Sequence, residues 1–150
     1  MIDKELYSKI HALLPISCLD LVIINQGKIL LVYRNRLPAK DQYWFPGGRI
    51  LKNETFEAAA QRLALGETGI HVNLVKTLGA DNLIFPEDPF GHGHGTHTVT
   101  CVAYCEPVTT DVKVDNNHDS HIWWDPTDTS VKLDKYITSW SDAALRLKGL

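Results

Sequence analysis

An α+β fold, arranged as an α/β/α sandwich, is predicted for this chain from three observations. Helical apolar spacing occurs near both ends and in the middle, and β-branched, strand-like runs fill the intervals. The break Pro46-Gly47-Gly48 stands just ahead of the central helical segment and marks a loop–helix unit. No repeat and no linker-like stretch interrupts the order, so residues 1–150 read as a single domain. A chain of 150 residues is long enough to bury a core without disulfides or a structural metal.

The elements follow in order. Leu6, Ile10, Leu13 and Leu14 recur at helical spacing, and Pro15 ends that run. Leu19–Ile24 and Lys28–Tyr33 are apolar and β-branched, joined across Asn25-Gln26-Gly27, which predicts a β-hairpin. After the polar stretch Asn35–Gln42, Pro-Gly-Gly marks backbone bent into conformations closed to residues with a side chain. A helix is expected from Thr55 to Thr68, with Thr55 as N-cap and Gly69 in the stop position. Strand-like runs Val72–Phe85, broken at Gly79, and His97–Tyr104 flank a Pro-, Gly- and His-rich loop, 86–95. A strand over His121–Trp124 and a helix over about Leu133–Leu147 complete the series.

The formal net charge of −3 offers no general basic footprint, so neither a nucleic acid nor an anionic membrane is expected as partner. Any phosphate-bearing ligand then requires a local cluster of positive charge. Residues 1–15 mix acidic and basic side chains without a long apolar core, the pattern of neither a signal peptide nor a membrane span, and a cytoplasmic location is expected. Cys18, Cys101 and Cys105 are odd in number and lack the spacing of a zinc site. Period-two alternation puts Cys101 and Cys105 on one strand face, as reduced core thiols.

On a helical wheel of about 100° per residue, Phe56, Ala60, Leu63 and Glu67 share one stripe, with Ala59 beside it. Glu67 is therefore a carboxylate on the face expected to meet the sheet, where it needs a cation, a hydrogen-bonding network or a raised pKa. Glu54 ahead of the helix and Arg62 within it complete a spaced set with Gly48, Glu67, Gly69 and Ile70.

That set resembles the signature box of the Nudix hydrolase superfamily, which runs Gly, five residues, Glu, seven residues, Arg-Glu, an aliphatic residue, one residue, Glu-Glu, one residue, Gly and an aliphatic residue. The lead-in Trp44-Phe45-Pro46-Gly47-Gly48 is similar as well. The resemblance implies a sandwich with a mixed sheet and a catalytic loop–helix. Two box carboxylates are absent, replaced by Leu63 and Gly66. With Glu67 alone remaining, one Mg²⁺ per active site is expected, with Mn²⁺ as an alternative. The same two losses occur in GDP-mannose mannosyl hydrolases, which the chain also resembles at Ser17–Asp20, Leu31–Arg34, Tyr43–Arg49, Leu51–Ala59 and Asp115–Trp123.

This branch resemblance implies hydrolysis of a nucleoside diphosphate sugar, GDP-mannose or GDP-glucose, to GDP and hexose by water attack at the anomeric carbon. Carried over by position, His118 is the general base, Arg34 and Arg49 neutralise the departing diphosphate, and Asp20 contacts substrate. Gly47, Glu67 and Asn117 hold the metal. Gly48, Glu54, Arg62 and Gly69 are structural, Arg62 pairing with Glu54. The branch also implies a homodimer, with the N-terminal helix as a candidate interface. Departures stand beside these matches: Asn117 replaces a Gln ligand, Phe45-Pro46 lacks an inserted residue, and Thr98 replaces an aromatic hydroxyl. His92, His94 and His97 line the pocket, are exposed, or bind metal. Two other functions stay open: a pyrophosphatase attacking phosphorus in another nucleoside diphosphate derivative, and a nucleotide-sugar sensor without turnover.

Overall fold

The structure, a computed structural model, describes residues 2–149. Helix α1 (Lys4–Leu13) starts at Asp3, whose carboxylate accepts the Leu6 amide at 3.1 Å. Strand β1 (Ile16–Asn25) turns into β2 (Lys28–Arg34) through Gln26 and Gly27 at φ 52° and 75°, the paired left-handed residues of a tight hairpin. Two short strands follow, β3 (Tyr43–Trp44) and β4 (Gly47–Arg49), before helix α2 (Phe56–Thr68). Thr55 caps α2 by accepting the Ala58 amide, and Gly69 ends it at φ 72°, a left-handed conformation that favours glycine. Strands β5 (Val72–Phe85), β6 (Thr96–Pro107) and β7 (His118–Trp124) lead to helix α3 (Lys135–Lys148).

The seven strands form one mixed sheet in the order β3-β2-β1-β6-β5, with β4 also on β1 and β7 also on β2. Only the β1–β6 pair is parallel among the described ladders. Strand β1 is the centre and is apolar on both faces. Leu19, Leu21 and Ile23 pack with Ala59, Ala60, Leu63 and Ala64 of α2. Val22 and Ile24 join Trp44, Phe45, Tyr136, Ile137 and Ala144 on the opposite, α3 side. This two-sided burial explains the near-continuous apolar run and makes the molecule the expected α/β/α sandwich. It also sends Asp20 to the α3 face, between Leu19 and Leu21.

Five expectations change. Gly79 does not break β5: the strand continues through a bulge, and a side chain there would strike the Trp140 ring at 2.8 Å. Phe56 lies within the buried stripe by angle, yet it is 42% exposed because α2 meets the sheet only from Ala59 onward. The leucines of α1 mark the helix but not its packing face. Leu6, Leu13 and Leu14 are exposed, and the helix docks through Tyr7 and His11. The last strand starts three residues before the expected His121: His118 opens β7, buried, opposite Arg34. Gly47 and Gly48 are not in left-handed backbone; they are strand residues whose need for glycine is one of space.

Cys101 and Cys105 do share the α2 face, as reduced thiols, and burial pushes the Cys105 thiol up to about 12. Among the described residues no helix is long and apolar enough to cross a membrane.

Candidate active site

Strand β4 runs antiparallel to β1, setting Gly47 opposite Asp20 and Arg49 opposite Cys18. A side chain on Gly47 would collide with the Asp20 carboxylate and approach the Leu19 carbonyl oxygen to 2.5 Å. On its other side the Gly47 amide donates to Glu67 Oε1 at 2.9 Å. Gly47 is thus held between two carboxylates, one from the central strand and one from the last turn of α2. Gly48 sits over Leu63, whose Cδ2 would be 3.0 Å from a Cβ there, so the apolar residue at a box carboxylate position packs beneath the loop. Gly66 has open space around it, and nothing in the structure requires a glycine there.

Burial pushes the Glu67 carboxyl up to about 8, reinforced by the nearby charges of Asp115 and Asp20 and opposed by the Gly47 amide and Arg34. A carboxylate in that position lacks compensation and is a natural ligand for a cation. The segment after β6 lies across the end of α2, where Lys113 and Asp115 donate their amides to the carbonyls of Thr68 and Glu67 at 2.8 and 3.1 Å. Through these contacts Asp115 and His118 reach Glu67, and one ligand atom from each of the three lies within 4.8 Å of the others. His118 Nδ1 donates to Asp115 Oδ1 at 2.6 Å, while Nε2 is buried without a partner among the described residues. Burial pulls the His118 pKa down, and Arg34 and Arg36 pull the same way; Asp115 opposes them. The ring is therefore held neutral with its lone pair on Nε2.

Two carboxylates and a neutral imidazole nitrogen suit a divalent cation, and the half-buried Glu67 carboxylate fits one in particular. Glu67 and His118 are legible in the sequence as candidate site residues, whereas Asp115 joins them only in the fold. The available signal was an Asp three residues before the histidine. Asn117, between Asp115 and His118 in the chain, donates its amide to Asp115 and accepts from Arg36 through its Oδ1 at 3.4 Å.

The positive groups gather on a cavity of about 280 Å³ that reaches the trio at Glu67; Arg34, Arg36, Arg49, Asp20 and Asn117 help to line it. Arg34 is anchored by donating to the Pro38 carbonyl at 2.7 Å and stands in the field of Glu67, Asp20 and Asp115. The Arg49 guanidinium lies over the Tyr7 ring at 4.4 Å from its centroid. Asp20, 6% exposed, accepts the Tyr136 hydroxyl at 2.7 Å. Burial raises its pKa to about 6 against the pull of Tyr136, Arg34 and Trp44.

Glu54 and Arg62 form the expected pair, with guanidinium contacts of 2.7 and 2.9 Å. Arg62 also donates to the Arg49 carbonyl at 2.8 Å, and Glu54 accepts the Leu51 amide at 3.0 Å. This staple holds the 49–54 loop to α2 away from Glu67 and draws the Glu54 carboxyl down to about 2. His92, His94 and His97 are apart from the three-donor cluster: His92 bonds His11, and His97 reaches Asn82 at 3.4 Å.

The NUDIX domain model matches residues 17–146, nearly the whole chain but not α1. The low-salt glycan biosynthesis protein Agl8 of Haloferax volcanii is 37% identical over 78 residues, 52% of this chain and 50% of that protein. The match thus spans about half the length of this curated relative. Among solved structures, the MutT protein from Methanosarcina mazei Go1 superposes with TM-score 0.74 at 22% identity, over 91% of this chain and 97% of that one. A UDP-X diphosphatase aligns with TM-score 0.68 at 13% identity, over 99% of this chain and 72% of its own. At those identities the two structures speak for the fold.

Proposed function

The chain belongs to the NUDIX family of hydrolases, and from that premise we propose that it hydrolyses a nucleoside diphosphate sugar by water attack at the anomeric carbon. The observation that carries this reading is the pairing of one half-buried box carboxylate, Glu67, with a neutral imidazole, His118, oriented by Asp115. The Haloferax relative is a glycan biosynthesis protein by name, which is in keeping with sugar-nucleotide chemistry.

Glu67 and Asp115 would hold a single Mg²⁺ or Mn²⁺, with the Gly47 carbonyl a further candidate. Bound there, the ion would neutralise charge on the diphosphate. His118 Nε2 accepts a proton from the attacking water as the new C–O bond forms at the sugar. The bond between the anomeric carbon and the diphosphate oxygen breaks, and its electron pair leaves with the nucleoside diphosphate. Arg34 and Arg49 offset the charge that develops on that leaving group. Asp20, fixed by Tyr136, offers an oxygen to a substrate hydroxyl.

Replacing His118 by Gln tests the assignment. Turnover of GDP-mannose or GDP-glucose is expected to fall by about 10²–10⁴-fold, with GDP and Mg²⁺ affinity retained. Full activity in that variant contradicts the base, and a matching loss of Mg²⁺ affinity makes His118 a ligand instead.

A further inference from the structure

His118 reaches Glu67 only because β7 is irregular. Alternation along a strand sends every second residue to the same face. Trp123, opposite Leu30, packs on the α2 side of the sheet, and His121, opposite Val32, follows it by that period. Continued regularly, the alternation would turn Asp119 towards α2 and His118 away from it. Instead the register shifts between Tyr33 and Arg34: Ser120 pairs with Tyr33 and His118 with Arg34, which leaves Asp119 as the extra residue of a bulge. This slip of one residue brings the imidazole, in place of the Asp119 side chain, to Glu67 and Asp115.

An extra residue outside the ladder has to be held by other contacts, and Asn35 makes them. Its backbone amide donates to the Asn117 carbonyl at 3.0 Å. Its side-chain Nδ2 donates to the Asn116 carbonyl and to Asp119 Oδ1, each at 3.0 Å. Both partners are acceptors, which fixes the orientation of the carboxamide and uses both of its N–H groups. One residue thus grips the chain on either side of His118. Asn35 follows Arg34 directly at the end of β2 but is not part of the cavity lining, so any effect it has on turnover passes through His118.

We propose that Asn35 is a positioning residue for His118: it holds the β7 bulge in the register that turns the imidazole into the site. The functional part of this rests on His118 as the base, the reading given above. The same clamp ties the leaving-group side of the site to the base, because Arg34 and Asn35 are neighbours on one strand end.

The wild type, Asn35→Ala and Asn35→Asp are compared by steady-state turnover of GDP-mannose with Mg²⁺ and by long-range ¹H–¹⁵N spectra of the imidazoles in the metal-free protein. Such spectra report which ring nitrogen carries the proton, and the His118 signals are assigned by their loss in His118→Gln. Asn35 is a half-buried loop residue outside both apolar cores, so either change leaves the core packing in place. Alanine removes the two side-chain donors; aspartate keeps the size but sets an acceptor against two acceptors. The wild type is expected to hold His118 with its proton on Nδ1. Both variants are expected to shift that signal towards a mixture of tautomers and to lose about 10- to 100-fold in kcat at unchanged KM. An unchanged His118 signal in either variant overturns the positioning role, whatever kcat does. A shifted signal with wild-type kcat keeps the positioning role and overturns His118 as the base.

Discussion

Asp115 Oδ1 lies 2.6 Å from His118 Nδ1, and this contact decides which nitrogen of the imidazole is free. With the Nδ1 proton held towards the carboxylate, the buried Nε2 keeps its lone pair within a cluster of donors suited to a cation. Asp115→Asn can turn its amide towards Nδ1, which moves the ring proton to Nε2 and removes the acceptor. At saturating Mg²⁺, turnover is expected to fall by about 10²–10⁴-fold while GDP binding holds. Steady-state kinetics beside GDP titration checks this, and undiminished turnover contradicts the orienting role.

Glu67 links metal to stability. Its ordinary value is 4.5 and its folded, metal-free value about 8, so between those pH values the native state retains a proton that the unfolded chain has released. Stability contributed by this group is full below the unfolded value and is lost as pH rises through the folded one. Metal-free protein is therefore expected to lose melting temperature from about pH 5 to about pH 8, and Glu67→Gln to flatten that decline. Added Mg²⁺ should restore stability at the alkaline end in the wild type only. Equal pH slopes for the two proteins would contradict the assignment.

Glu54 has the opposite sign. Arg62 draws its carboxyl from 4.5 to about 2, so the stabilisation is present above the unfolded value and disappears as pH falls through the folded one. The melting-temperature gap between the wild type and Glu54→Gln should be full near neutrality and close towards pH 2. A gap independent of pH would mean that the Glu54–Arg62 staple does not act through charge.

Gly66 lies inside α2 with open space where a Cβ would be. Gly66→Ala is expected to stabilise the protein by about 1 kcal/mol, read as a higher denaturant midpoint at unchanged slope. Destabilisation would reveal a role for this glycine that the folded structure does not display.

What could be read from the sequence was local. Thr55 and Gly69 bracket α2 through contacts within a few residues, Gln26-Gly27 closes its own hairpin, and Glu67 falls on the sheet face by helical period alone. What could not be read depends on residues far apart. Strands β3 and β4 are two and three residues long and exist by pairing with β2 and β1. Asp115 meets Glu67 because the post-β6 segment satisfies the last carbonyls of α2, and Tyr136 reaches Asp20 across 116 residues. His118 has polar neighbours in the sequence; its pairing with Arg34 at a bulge buries it. Gly47 was recognisable as special, but the reason is the Asp20 carboxylate beside it, supplied by another strand.

The central claim concerns where water attacks, and hydrolysis of GDP-mannose or GDP-glucose in heavy-oxygen water with Mg²⁺ tests it most directly. Mass spectrometry of the products is expected to find the label in the released hexose and none in GDP. Label in a phosphate group would place the attack at phosphorus and contradict the account, whatever the rate.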